Sequence, residues 1–207
     1  MGRGRERGIP VTDWIRRLSS RGLFELEEPP FSVVAVRGSK TSGSFSPVQS
    51  QDPVDRPYQQ LLGLITQYGW AIRHVGSAGT APGFSYTVGL TAMGHPEFVM
   101  TGMPFEASQG FLNLLGADVR DGKRYAAGTV VWDLTEPPAP IAIIAVSETT
   151  GLTAIDEVYG RVDALQAIWS DSTGHLPWDE GYRNPPDTQP LLGPLPVWRL
   201  GRPGPSS

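Results

Sequence analysis

The chain contains no cysteine, which excludes a disulfide framework, a thiolate nucleophile and every zinc or iron–sulfur site built on sulfur. It also has no apolar run near the ~18 residues needed to span a bilayer. The Arg-rich start, MGRGRERGIPVTDW, has no uninterrupted apolar stretch behind it, which argues against a secretory signal. A cytoplasmic location is therefore expected. Charge is sparse, at 18% of residues, and the net charge of −4 gives no reason to expect nucleic acid or a membrane surface as partner. What charge there is lies unevenly. Residues 1–50 hold eight Arg and Lys against five Asp and Glu, and the remainder holds nine against sixteen. The result is an acidic body with a mildly basic arm.

Glycine and proline are abundant instead, at 25 and 20 of 207 residues, and signal many turns. The length suits one domain with a substantial core. Residues 1–54 read as a largely flexible extension: TDWIRRL suits a short helix, FSVVAV a short strand, and GSKTSGSFSPVQSQDP a linker. Residues 55–192 read as the domain and 193–207 as a disordered Pro/Gly-rich tail. Within the domain, PYQQLLGLITQYGW has Leu61, Leu62, Ile65 and Tyr68 at helical spacing, with Pro57 near its first turn and Gly69 at its end. WAIRHV, FSYTVGL, PEFVMTGM, PIAIIAV and ALQAIWS read as strands, and FEASQGFLNLLGADVRDG as an amphipathic helix. DGKRYAAGTVVWDL reads as a turn and strand, and TAIDEVYG as a short helical piece. Consecutive strands without intervening helices predict an α+β fold, a single domain with a mostly antiparallel sheet and two or three helices.

The stretch FSYTVGLTAMGHPEFVMTGM carries the chemistry-bearing side chains. Pro96 biases His95 toward extended backbone, and continued extension puts His95, Glu97, Val99 and Thr101 on one face. A hairpin with FSYTVGL would bring Ser85 and Thr87 to that face, so an imidazole, a carboxylate and three hydroxyls would converge. Such a face can be the wet side of a sheet, a ligand site, or an acid–base pair of His95 and Glu97 with Ser85 or Thr87 as nucleophile or substrate contact. A metal held with His74 or His175 is a further use. The H-x-E spacing of zinc deaminases needs downstream cysteines that the chain lacks. No H-E-x-x-H, P-loop, G-x-S-x-G or Rossmann fingerprint occurs. GSAGTAPG has no Lys and no helix behind it, and Arg120, Lys123 and Arg124 in RDGKR read as solvated charge. Trp169, Trp178, Asp171 and Asp179 fall in one short segment, where they could line a mouth or close the core. Asp171–Gly174 reads as an Asx-type turn.

The segments YGWAIRHV, PGFSYTVGL, GHPEFVMTGM, ALQAIWSDSTGHLPWDEGY and QPLL, in that order, resemble the bacterial domain-of-unknown-function family 4262 over about residues 55–192. Ser170 stands where that family more usually has Pro, and Leu176 where it more usually has an aromatic residue. The resemblance implies a fold unit and a candidate site and brings no activity, metal or cofactor with it. The expectation is a ligand-binding or regulatory module. Its pocket would lie on the Ser85, Thr87, Thr101 face and be rimmed by Trp70, Trp169 and Trp178, for a small molecule. The alternatives are a small hydrolase or other acid–base enzyme using His95 and Glu97, and a domain whose flat sheet face meets a protein partner.

Overall fold

In a computed structural model, residues 33–34, 55–134, 139–147 and 149–195 are described. The expectations for the extension and the tail fall almost entirely outside them. Among the described residues the elements run β1 (Val33–Val34), α1 (Asp55–Tyr68), β2 (Ala71–Val75), β3 (Phe84–Val88), a 3-10 turn (Leu90–Met93) and β4 (Glu97–Thr101). They continue with α2 (Phe105–Arg120), β5 (Val130–Val131), β6 (Ile141–Ala145), α3 (Thr153–Tyr159), β7 (Ala164–Trp169) and a second 3-10 turn at Pro186–Thr188. The strands form one sheet in the order β1-β2-β3-β4-β7-β6-β5. Four of the pairings are antiparallel; β1 with β2 and β4 with β7 are parallel. This is the single α+β domain that the strand-rich order predicts. No helix among the described residues is long and apolar enough to cross a membrane.

Helix on both faces decides how the sheet is read. Phe111, Leu112, Leu115 and Val119 recur at helical spacing on α2 and bury against Ile72, Phe98, Met100, Ile143 and Trp169 on one face. Leu61 of α1 and Ala154 and Ile155 of α3 bury against Ala71, Tyr86, Val88 and Val99 on the other. That second face continues over Ala142, Ile144 and Ile168, under Leu176 and Trp178. Each fully buried side chain of this size contributes about 1.5–3 kcal/mol, so neither layer is dispensable. On α1 the inward stripe is Leu61, Leu64 and Ile65, and the helix ends at Gly69, whose φ of 93° suits the C-terminal position.

A sheet covered on both faces has no wet side, and this corrects the first of the three uses considered for the polar stretch. Ser85, Thr87, Glu97 and Thr101 are 4% exposed or less. The expected shared face is corrected as well. In the β3–β4 ladder Phe84 lies opposite Thr101, Ser85 opposite Met100 and Tyr86 opposite Val99. Directly opposed residues share a face, so Ser85 sides with the apolar Met100 and faces α2, while Thr101 lies on the opposite face with Phe84 and Tyr86. A one-residue change in register exchanges the faces. With apolar side chains wanted on both, alternation alone did not fix which face Ser85 takes.

Candidate functional site

Both candidate catalytic residues sit in the Gly94–Glu97 turn. His95 is buried, and its Nδ1 donates to the Pro96 carbonyl at 2.7 Å while its Nε2 accepts the Tyr125 N–H at 3.0 Å. A carbonyl only accepts and an amide N–H only donates, so the ring is neutral with its proton on Nδ1. Phe98 and Tyr125 close around it at ring-centroid distances of 5.1 and 6.1 Å. Burial holds His95 below its ordinary value of 6.5. In the unfolded chain the ring titrates at the ordinary value, so unfolding takes up a proton as the pH falls. This contribution to stability is complete above about pH 6.5 and declines as the pH drops toward the folded value, by at most about 1.4 kcal/mol per pH unit. Urea unfolding at pH 7.5 and 5.5 should therefore show lower stability at the acid pH, and His95→Gln should reduce the difference.

Glu97 opens β4 and is completely buried. Its Oε1 accepts the Gly89 N–H, the Thr91 N–H and the Thr91 hydroxyl at 2.8–2.9 Å, and its Oε2 accepts the Thr87 hydroxyl at 2.7 Å. Gly89 and Thr91 lie at the start of the 3-10 turn, where amide groups lack partners within the turn. The carboxylate therefore closes the β3–β4 connection from inside. Thr87 completes the knot by accepting the Phe98 N–H at 2.8 Å. His95 and Glu97 thus stand two residues apart with separate sets of partners. No hydrogen bond joins them to each other or to Ser85.

The other expected ligand contacts are distributed likewise. Thr101 donates to the Pro190 carbonyl and accepts from Gln166. Gln189 forms a two-way bond with the Trp169 backbone, and Gln166 also accepts the Leu192 N–H. These two buried glutamines strap residues 186–192 onto the sheet. Trp70 is 4% exposed, packs on Gly116 of α2 and donates to Asn113 at 3.1 Å. Trp169 is buried in the core beneath α2 and donates to the Thr101 carbonyl, whereas Trp178 packs on the other face of the sheet. The three tryptophans therefore do not rim one mouth, which corrects that part of the expected pocket.

Beside β7, Asp171 accepts from Thr173, His175 and Arg183, forming the Asx-type turn. Burial pushes its carboxyl upward, but these hydrogen bonds outweigh that and hold it below the usual carboxylate value. Of the basic group, Arg120 lies over the Trp70 ring, Lys123 pairs with Asp118, and Arg124 donates to the carbonyls of Val119, Lys123 and Met93. Among the described residues no group of three or more His, Cys, Asp and Glu is placed to hold a metal. The hydroxyl of Ser170, where proline was the expected residue, is buried without a hydrogen-bond partner. Ser170→Ala removes an unsatisfied polar group, so it should stabilise the fold by about 1 kcal/mol and raise the melting temperature by about 2–4 °C in calorimetry.

One polar chain does reach the surface. His74 of β2 lies directly across from Ser85 of β3, and its Nδ1 is 2.8 Å from the Ser85 Oγ. Ser85 Oγ is 2.7 Å from Ser108 Oγ on α2, and Ser108 donates to the Phe105 carbonyl at 2.8 Å. Each hydroxyl has one proton. Ser108 uses its proton on the carbonyl, so Ser85 donates to Ser108, and His74 must donate from Nδ1 to Ser85. The ring is thereby oriented, and among the described residues nothing hydrogen-bonds its Nε2. Burial lowers the basicity of His74, opposed in part by the Glu106 carboxylate. The imidazole is half-buried against the Phe105 ring, with centroids 5.0 Å apart. Ser85 and His74 stand out in the sequence as polar candidates, whereas Ser108 and Phe105 do not. A serine and an aromatic in the first turn of a helix carry no signal until the helix is docked.

A model of the family described as Domain of unknown function (DUF4262) matches residues 64–183, more than half of the chain. No curated protein and no solved structure matches.

Proposed function

Since the chain belongs to the DUF4262 family, whose description specifies no reaction, the site itself must supply the reading, and we propose that this domain is a ligand-recognition module centred on His74. The observation that carries the proposal is the Phe105 carbonyl–Ser108–Ser85–His74 chain, which fixes one imidazole tautomer and leaves Nε2 as an acceptor that no described residue uses. A side chain held by buried hydrogen bonds behind it loses little conformational freedom when a ligand binds in front. His95 and Glu97 lack that property, because every ring nitrogen and both carboxylate oxygens there already have protein partners. Ser85 remains part of the reading in a changed role: it orients the recognising group from behind.

The test is a thermal-shift screen of small metabolites run in parallel on the wild type and on His74→Ala, because a ligand that selects the native state must raise its stability. A compound at a hundred times its dissociation constant contributes about 2.7 kcal/mol, which at about 2–4 °C per kcal/mol is a readily measured shift. Compounds that stabilise the wild type and lose their effect in His74→Ala support the proposal. Stabilising compounds indifferent to that substitution contradict it.

A further inference from the structure

His74 packs on Phe105 at the start of α2, with Glu106 the next residue along the helix, and together the three select a class of ligand. His74 presents Nε2 as a hydrogen-bond acceptor, since Nδ1 carries the proton given to Ser85. Phe105, half-buried, sets its ring against the imidazole at 5.0 Å and an interplanar angle of 57°. Glu106, the next residue, is exposed, and its negative charge acts on His74. An acceptor nitrogen, an aromatic ring and a carboxylate form a set that accepts protons and positive charge.

The competing choice is an anion, drawn by the unpaired N–H groups at the start of α2. That terminus carries the equivalent of about half a positive charge. Glu106 brings a full negative charge into the same first turn, and the neutral imidazole offers a lone pair that repels an anion. The balance is negative. A ligand with N–H donors and a positive charge gains a hydrogen bond at Nε2, attraction to the Glu106 carboxylate, and a favourable position over the Phe105 ring.

We propose that the group recognised at His74 is an ammonium ion, the protonated amino group of a small organic amine, held by His74 Nε2, the Phe105 ring and the Glu106 carboxylate. This rests on the recognition reading above and narrows it to one chemistry. The tryptophans are not needed for it, and neither is any residue of the Gly94–Glu97 turn.

The experiment follows the His74 ring resonances by NMR in the full chain during titration with methylammonium and benzylammonium chloride, with tetramethylammonium chloride and sodium sulfate as controls. Saturable shifts are expected with both primary ammonium ions and weaker ones with tetramethylammonium, which has no N–H to give to Nε2. Glu106→Gln lies on an exposed helix position and leaves the fold intact. It should weaken benzylammonium binding by about two- to fivefold, the loss of one exposed charge pair. His74→Gln, followed through the Phe105 ring resonances, should weaken it by at least as much, with a retained cooperative unfolding transition in the absence of amine as the check on folding. Saturable shifts with sulfate but none with the ammonium ions overturn the proposal, and so does binding that is indifferent to Glu106→Gln. A screened ligand that requires His74 but not Glu106 would overturn the ammonium class while leaving recognition at His74 standing. Failure of every probe and of every His74-dependent ligand would overturn both.

Discussion

Glu97→Ala should lower the unfolding free energy by about 3–5 kcal/mol, a fall of about 6–20 °C in melting temperature. The loss arises because the Gly89 and Thr91 amides and the hydroxyls of Thr87 and Thr91 all lose their acceptor at once. An unsatisfied buried amide costs about 1–3 kcal/mol, and two are orphaned here, while the hydroxyls can turn elsewhere. The cavity left by the side chain adds to the cost. Glu97→Gln should cost markedly less, about 1–2 kcal/mol, because the amide oxygen can take the Oε1 position and keep both N–H bonds. A catalytic carboxylate would behave in the opposite way: both substitutions would abolish turnover and leave stability nearly unchanged. Calorimetry on the two variants separates these patterns. Equal and negligible losses would show that the carboxylate does not hold the β3–β4 connection.

The second large effect concerns residues 186–192. Gly102 has a φ of 68°, and a Cβ placed there would lie 1.6 Å from the Thr188 carbonyl oxygen. A contact of that kind with backbone cannot be relieved by turning a side chain, so the segment itself must move. Its anchors are the bonds from Thr101 and Gln166 to Pro190 and from Gln189 to the Trp169 backbone. Gly102→Ala therefore strains a left-handed residue and separates buried donors from their acceptors, for an expected cost of about 2–4 kcal/mol. Limited proteolysis should show new cleavage between residues 185 and 193, and stability should fall. Wild-type protection of that segment in Gly102→Ala would mean that it is not packed against the β4 end as described.

These residues also show what the sequence revealed of the fold and what it hid. Helical spacing of Phe111, Leu112, Leu115 and Val119 marked α2, and the apolar PIAIIAV marked a strand buried on both faces, as β6 is. The family segments from YGWAIRHV to ALQAIWSDSTGHLPWDEGY likewise fall within the matched region, and QPLL, at residues 189–192, lies beyond it. Register was hidden. Ser85 and Thr101 look alike in sequence, a hydroxyl between apolar neighbours, yet one faces α2 and the other the strap of residues 186–192. A sheet that buries both faces wants apolar side chains at odd and even positions alike, so periodicity loses the power to say which way a polar residue points. The parallel β4–β7 pair was hidden for a related reason. It joins strands more than 60 residues apart, and no local turn announces it.

The site was legible only in part. His95 and Glu97 were the natural candidates because an imidazole and a carboxylate two residues apart suggest paired chemistry, and burial with separate partners gives them structural work instead. His74 and Ser85 become neighbours only once β2 and β3 are aligned across GSAGTAPG, a loop too long to fix the register of its own hairpin. Ser108 then joins them from α2. Three elements are needed to build that chain, and no window of sequence contains them.

A long-range proton–nitrogen NMR spectrum of the three histidines, followed from pH 8 to about pH 5, tests the division between buried scaffold and available ligand group most directly. His95 should hold one neutral form, with its proton on Nδ1, through the pH at which imidazole ordinarily titrates. At neutral pH, His74 should carry its proton on Nδ1 and show an unprotonated Nε2. A His95 that titrates near its ordinary 6.5, or a His74 with its proton on Nε2 at neutral pH, would contradict that division.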